Sequence, residues 1–224
     1  MLADSATGAQ QRLATVQAGL DRACRDAGRN DRPLLVAVSK TFDAIDIRPL
    51  IAAGQRHFGE NRVQEAQAKW PELQAETPGI TLHLVGQLQS NKAAEAIALF
   101  DVIHSVDRPS LVTALAKAQS ALGKHPACYL QVNIGDETQK GGCALADLPV
   151  LLAQARNAGL NIIGLMCVPP ATIEPAPYFA LLAEHAKRLG LPGLSMGMSS
   201  DYETAALLGS TVVRVGSALF GSRG

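Results

Sequence analysis

The sequence predicts an α/β protein, a single (β/α)8 TIM-type barrel with an extra N-terminal helix. Three observations carry that expectation. Short apolar runs alternate with helical stretches along the whole chain, and eight such runs can be counted. The runs are continuously apolar, as strands covered on both faces require. No G-x-G-x-x-G opens a helix after the first strand, which weighs against the doubly wound nucleotide-binding sheet, the rival closure for the same alternation.

The elements follow in order. Leu13, Val16, Leu20 and Ala23 share one face of an opening amphipathic helix that ends near Gly28. The first strand is Leu34-Leu35-Val36-Ala37-Val38, and further runs fall at 56–58, 82–85, 102–106, 129–134, 162–168, 194–196 and 212–215. Between them, Leu111, Leu115, Ala118 and Leu122 mark one helix face; Tyr178, Leu181, Leu182, His185 and Leu189 mark another. Gly54, Gly123, Gly159, Gly190 and Gly209 stand where helices take a left-handed C-cap. No linker, low-complexity stretch or residue-level repeat interrupts the pattern. Residues 1–224 are therefore expected to form one domain, with residues 1–30 supplying a helix packed on the barrel.

Composition narrows the function. Among 224 residues, Lys+Arg and Asp+Glu both total 20, for a formal net charge of zero. A dedicated binder of nucleic acid or of anionic membranes needs a basic excess that this chain lacks. Hydrophobic residues make up 47% and aromatics 4%, so the core must be built from Ala, Leu, Val and Ile. No apolar run approaches the roughly 20 residues of a bilayer span. The polar segment Met1–Gln11 lacks the basic and apolar regions of a secretion signal. Cys24, Cys128, Cys143 and Cys167 are scattered, without metal-ligand spacing. Buried thiols in a reducing, cytoplasmic compartment are expected, with no metal.

In such barrels the working groups cluster at the carboxyl ends of the strands. The first strand ends in Ser39-Lys40-Thr41, the second in Glu60-Asn61-Arg62 and the third in Gly86-Gln87-Leu88-Gln89-Ser90-Asn91-Lys92. The seventh ends in Met196-Gly197-Met198-Ser199-Ser200, and the eighth carries Arg214-Val215-Gly216-Ser217. Lys40 follows an apolar run, so its amine either stands solvated at the strand end or emerges beside apolar walls, where desolvation frees it to attack a carbonyl. Loops after the last two strands are the common phosphate site of the fold. Ser199, Gly216 and Ser217 suit it, and Ser200-x-x-Glu203 reads as a capping box for the helix that follows. A lysine amine facing a phosphate cradle suggests a phosphorylated aldehyde or ketone.

Those same segments carry a family resemblance. Ala37-Val38-Ser39-Lys40-Thr41, His57-Phe58-Gly59-Glu60-Asn61-Arg62-Val63-Gln64-Glu65, His83-Leu84-Val85-Gly86-Gln87-Leu88-Gln89-Ser90-Asn91-Lys92 and Ser195-Met196-Gly197-Met198-Ser199-Ser200-Asp201 resemble the pyridoxal phosphate homeostasis proteins. So does the ending Val213-Arg214-Val215-Gly216-Ser217-Ala218-Leu219-Phe220-Gly221-Ser222-Arg223. That family resembles the barrel domain of alanine racemase without its second, β-rich domain. The resemblance implies pyridoxal 5'-phosphate as cofactor, with Lys40 as the Schiff-base lysine and Ser199, Gly216 and Ser217 on the phosphate. It implies that Arg214 faces the pyridine nitrogen, and that Asn61 and Met196 lie near the ring or its substituents. Leu82 departs from the pattern, since many members have an aromatic residue before the histidine.

Other residues carry weaker readings. His57, His83 and His104 fall on strands and read as hydrogen-bonded residues of a polar barrel layer. Glu60 and Asn61 orient a ligand or cap a helix. Lys92 reads as solvated, and Glu137-Thr138-Gln139-Lys140-Gly141-Gly142 as a mobile polar loop. The expected function is a homeostasis or carrier protein, a monomer or weak dimer that holds the cofactor without robust turnover and has pyridoxal-phosphate-dependent apoenzymes as recipients. The rivals are an amino-acid racemase using the same cofactor and a Schiff-base aldolase acting on a phosphorylated sugar. Racemisation needs an acid/base group on each face of the substrate. Tyr129, Tyr178 and Tyr202 offer no clear second group, His83 or His104 could supply one from inside the barrel, and the chain is expected to stop at Gly224 without a further domain.

Overall fold

The structure, a computed structural model, describes residues 2–221. Met1 and residues 222–224 lie outside it, and with them the outer limits of the expected domain and the Ser222-Arg223 end of the last motif. In chain order the elements are α1 (Leu2–Asp26), β1 (Leu34–Val38), α2 (Ala44–Ala52), β2 (His57–Glu60), α3 (Val63–Glu76), β3 (Thr81–Leu84), α4 (Ala93–Leu99) and β4 (Val102–Val106). There follow α5 (Pro109–Leu122), β5 (Ala127–Val132), α6 (Leu148–Asn157), β6 (Asn161–Cys167), α7 (Ala176–Arg188), β7 (Gly193–Ser195), α8 (Tyr202–Leu207), β8 (Val212–Val215) and α9 (Ser217–Phe220). The strands are parallel, run in sequence order and close into a barrel. The closing pair is β1 with β8, from Leu34 opposite Val212 to Ala37 opposite Val215.

Each strand is buried on both sides because successive side chains alternate between the helices and the barrel axis. Leu35, Ala37, Phe58, Leu82, Leu84, Ile103, Leu130 and Val213 face outward into one continuous apolar layer beneath the helices. Leu82, where the family pattern carries an aromatic, is fully buried in that layer and lies in register with Phe58. The axis holds a small apolar cluster of Val36, Tyr129, Met166 and Val212. Beside it run polar groups: His57, His83, His104, Ser195 and Arg214 are hydrogen-bonded to one another. The polar barrel layer expected for the histidines is therefore present.

α1 buries Leu13, Val16, Leu20 and Ala23 against α2, α8 and α9. All five anticipated capping glycines adopt the left-handed region, with φ between 64° at Gly123 and 96° at Gly54. Three details differ from the expectation. Leu122, at the end of α5, is half exposed, because the buried stripe of that helix is Leu111, Val112, Leu115 and Ala118. The buried stripe of α7 is Phe179, Leu182 and Ala186, which leaves Tyr178 and Leu181 at its edge. The Ser200–Glu203 capping box does not form: α8 starts at Tyr202 with Asp201 as N-cap, and Asp201 Oδ1 instead accepts the Met198 N–H at 2.5 Å. Glu203 turns outward and pairs with Arg22 of α1 at 2.7 Å. The four cysteines are free and buried. No described helix is long and apolar enough to cross a membrane.

Candidate functional site

A cavity of about 640 Å³ opens at the carboxyl ends of the strands, lined by Val38, Lys40, Phe42, Asn61, Val85, Val168, Met198, Ser199, Ser200, Arg214, Gly216, Ser217 and Gly221. Six of the seven residues anticipated from sequence are on this wall: Lys40, Asn61, Ser199, Arg214, Gly216 and Ser217. The seventh, Met196, is not brought to it. Ser195 faces the barrel axis, so strand alternation sends Met196 to the helix side, where it is fully buried in the outer apolar layer. The chain then turns at Gly197, with φ 97°, and Met198 reaches the wall instead. A Cβ at Gly197 would lie 2.5 Å from that of Ala205, so no larger residue makes this turn.

Lys40 follows β1 and is exposed at the cavity rather than sunk between apolar walls. Its loop is fixed from below. Lys69 of α3 donates from Nζ to the Ser39 carbonyl at 2.9 Å and the Phe42 carbonyl at 2.8 Å, and pairs with Glu60 Oε1 at 2.9 Å. The same Glu60 oxygen accepts from Ser39 Oγ at 2.6 Å and from Trp70 Nε1 at 3.0 Å. Glu60 therefore neither lines the cavity nor caps a helix. It is a fully buried counter-ion beneath the lysine loop. From the other side, Phe42 stacks on Phe220, with centroids 4.5 Å apart and planes 14° from parallel. Thr41 is held at φ 66°, a left-handed conformation that a β-branched residue keeps only when its surroundings impose it. Lys69 escaped the sequence reading because a lysine in the middle of an amphipathic helix looks solvated. The one available signal was a glutamate at a strand end that burial would leave in need of a cation.

Opposite the lysine, the backbone of β8 turns into α9. Ser199 Oγ accepts the N–H of Gly216 at 3.1 Å and of Ala218 at 3.4 Å. Backbone donors there converge on one acceptor oxygen, the arrangement an anion oxygen needs. A Cβ at Gly216 would stand 3.3 Å from the Val38 carbonyl, tight enough that the bare backbone matters. Two residues earlier on β8, Arg214 is 5% exposed. It donates from Nη1 to Ser195 Oγ at 2.6 Å and from Nη2 to the Cys167 carbonyl at 2.8 Å. Among the described residues no carboxylate pairs with it. Burial pulls its pKa below the ordinary guanidinium value, yet the group has no neutral form at a working pH.

The remaining sequence candidates lie elsewhere. Lys92 sits in a 3₁₀ turn and pairs with Glu95 at 3.1 Å. The loop after β5, expected to be mobile, is folded back on its strand. The Asn133 N–H reaches the Cys143 carbonyl and the Cys143 N–H the Gln131 carbonyl, both at 2.9 Å. Asp107 Oδ2 takes the Gly142 N–H at 3.3 Å. Lys140 in that loop donates to the Pro169 carbonyl at 3.0 Å.

A primary amine, a turn with convergent backbone donors and a buried cation lie on one wall. Comparison with known proteins identifies the family. Residues 12–224 match the model of the alanine racemase N-terminal domain. The pyridoxal phosphate homeostasis protein of Pseudomonas aeruginosa is 42% identical over 221 residues, covering 95% of each chain. PipY of Synechococcus elongatus, solved with PLP bound, is 41% identical with a TM-score of 0.82 over 95% of this chain and 100% of its own. Alanine racemase of Clostridium difficile shares the fold at 13% identity and a TM-score of 0.70, this chain covering 57% of it. The barrel, the cavity wall and these matches place the chain in the alanine racemase N-terminal domain family, among the pyridoxal phosphate homeostasis proteins.

Proposed function

We propose that the protein binds pyridoxal 5'-phosphate as a Schiff base on Lys40 and serves cytoplasmic homeostasis of that cofactor, without robust turnover of its own. The observation that carries the reading is the pairing, on one cavity wall, of the Lys40 amine with the Ser199–Gly216–Ser217 anion turn. Arg214, deeper on β8, meets the ring nitrogen as a donor. Met198 and Asn61 flank the ring. When bound, the cofactor supplies an electrophilic aldehyde, and the cavity holds it close to an amine on a braced loop, which removes most of the entropic cost of their meeting. The homeostasis proteins that share this chain's length, and PipY with its PLP, support the assignment. Apoenzymes that need the cofactor are its recipients.

The purified protein should be yellow and lose its colour with hydroxylamine. Borohydride reduction and peptide mapping should place the cofactor on Lys40, and Lys40→Ala should keep only weak, non-covalent binding. A label on Lys92 or Lys140 would overturn the assignment.

The cavity wall also supports the absence of racemase chemistry. Among its described residues the wall carries, beside the Lys40 amine, no tyrosine, histidine, cysteine or carboxylate. Tyr129 stacks on His104 inside the barrel, and the Tyr202 hydroxyl is 3.2 Å from Glu203. One face of a bound amino acid would thus have no partner group. Solvent deuterium should enter Cα of L-alanine no faster than with free pyridoxal phosphate. Exchange with inversion well above that rate would make the protein a racemase.

A further inference from the structure

We propose that His104 and Ser195 position Arg214 through a one-directional chain of hydrogen bonds along the barrel axis, in which His57, His83 and His104 are all neutral and protonated on Nε2. The chain is continuous. His57 Nδ1 lies 3.1 Å from His83 Nε2, and His83 Nδ1 lies 3.0 Å from His104 Nε2. His104 Nδ1 lies 2.8 Å from Ser195 Oγ, which Arg214 Nη1 meets at 2.6 Å. His83, His104 and Ser195 are buried, and the Tyr129 ring stacks on His104 at 4.6 Å.

The direction follows from counting hydrogens. A guanidinium has donors and no acceptor, so Ser195 Oγ must accept from Arg214. The serine has one hydrogen of its own, and among the described residues His104 Nδ1 is the acceptor within reach. Were His104 the donor, that buried hydroxyl hydrogen would be stranded. Ser195 therefore donates to His104 Nδ1. A neutral imidazole has one donor and one acceptor, so His104 carries its proton on Nε2 and donates to His83 Nδ1. His83 in turn donates from Nε2 to His57 Nδ1. A cationic His83 would set its Nδ1–H against the His104 Nε2–H at 3.0 Å, and a cationic His104 would set its Nδ1–H against the Ser195 hydroxyl hydrogen at 2.8 Å. Burial agrees, holding His83 down to about 3 and His104 well below the ordinary histidine value.

Aligned this way, the chain fixes the serine hydroxyl with its lone pairs toward Arg214. With Nη2 tied to the Cys167 carbonyl, the guanidinium plane is then set on two sides. His104 does not line the cavity; it acts through Ser195. The step from a fixed guanidinium to a bound ring rests on the function proposed above, but the tautomers do not.

Two measurements separate these. Long-range ¹⁵N–¹H spectra of the unliganded protein at pH 7.5 should show Nε2 protonated and Nδ1 bare in all three rings. An Nδ1–H tautomer or an imidazolium at His83 or His104 would overturn the chain, whatever the protein binds. With pyridoxal phosphate bound, His104→Phe and Ser195→Ala should each shift the visible absorption maximum and weaken binding about threefold to tenfold. The double variant should be no worse than Ser195→Ala alone, and His104→Gln, which keeps an acceptor and a donor, should restore the spectrum. Unchanged spectra or additive losses would refute the positioning role. Wild-type protein that takes up no pyridoxal phosphate would sink the functional reading and leave the ¹⁵N spectra to decide the chain.

Discussion

Arg214 is where one side chain decides most about the chemistry. A permanent cation donates to a pyridine nitrogen and leaves it unprotonated, whereas an aspartate there stabilises a pyridinium and makes the ring a strong electron sink. Arg214→Asp should therefore change the absorption spectrum of the bound cofactor. It should also weaken binding about tenfold, the ~1.4 kcal/mol expected from losing one charge-assisted hydrogen bond. A titration with unchanged spectrum and affinity would mean that the guanidinium does not meet the ring. At this scale the shared wall was legible wherever residue chemistry and strand-end position coincided, since Lys40, Ser199 and Arg214 all line one cavity. It was not legible where a choice of face intervened. Met196 and Met198 are two residues apart, and which one reaches the cavity depends on the Gly197 turn, a backbone event with no side-chain signature. Lys69 was hidden for another reason: its partners, Ser39, Phe42 and Glu60, are distant in sequence and meet it only in the folded barrel.

Elements position the site through close backbone approach as much as through side chains. Gly86 follows β3, and a Cβ there would stand 2.3 Å from the Asn61 carbonyl oxygen and 2.6 Å from Asn61 Cα, the backbone leaving β2. Gly86→Ala must drive the two segments apart and carry Asn61 away from the cavity wall. The expected outcome is a loss of about 1–3 kcal/mol in urea unfolding, typical of overpacking, together with weaker cofactor binding. Gly79→Ala is the control, since a Cβ there meets nothing within 4 Å and faces only the strain of φ 87°. It should cost about 1 kcal/mol and leave affinity untouched. Equal affinities for Gly86→Ala and the parent would show that Asn61 is dispensable. The order and kind of the elements were readable because apolar runs and capping glycines are local signals. The phase of α7 was not: Tyr178, Leu181 and Phe179, Leu182 compete for one inward stripe, and packing against the barrel selects the second pair.

Across the whole molecule, the histidine axis makes stability depend on pH. His83 is held down to about 3 by burial and by its neighbour His57, and His104 is held well below the ordinary histidine value by burial, His83 and Arg214. Between the unfolded value near 6.5 and the folded one, the unfolded chain binds more protons than the native barrel, so stability falls as pH falls through that window. At pH 5.5 His83 should remove about 1.4 kcal/mol relative to pH 7.5, with His104 acting in the same direction, and urea midpoints at the two pH values measure it. Midpoints that do not move would mean the rings titrate in the folded state. The β1–β8 seam has a different consequence, in time rather than in space. Lys40 leaves β1, while Ser199, Gly216 and Ser217 belong to the segments around β7 and β8. During synthesis the amine emerges early and the Gly216–Ser217 turn only with β8, so on the proposed function a nascent chain has no binding site until β8 closes the ring. A ligand held by both sides of that seam is a clasp on the finished barrel, adding about 2.7 kcal/mol when present at a hundred times its dissociation constant. The amount of folded protein that survives proteolysis would then follow the cell's supply of the molecule it holds.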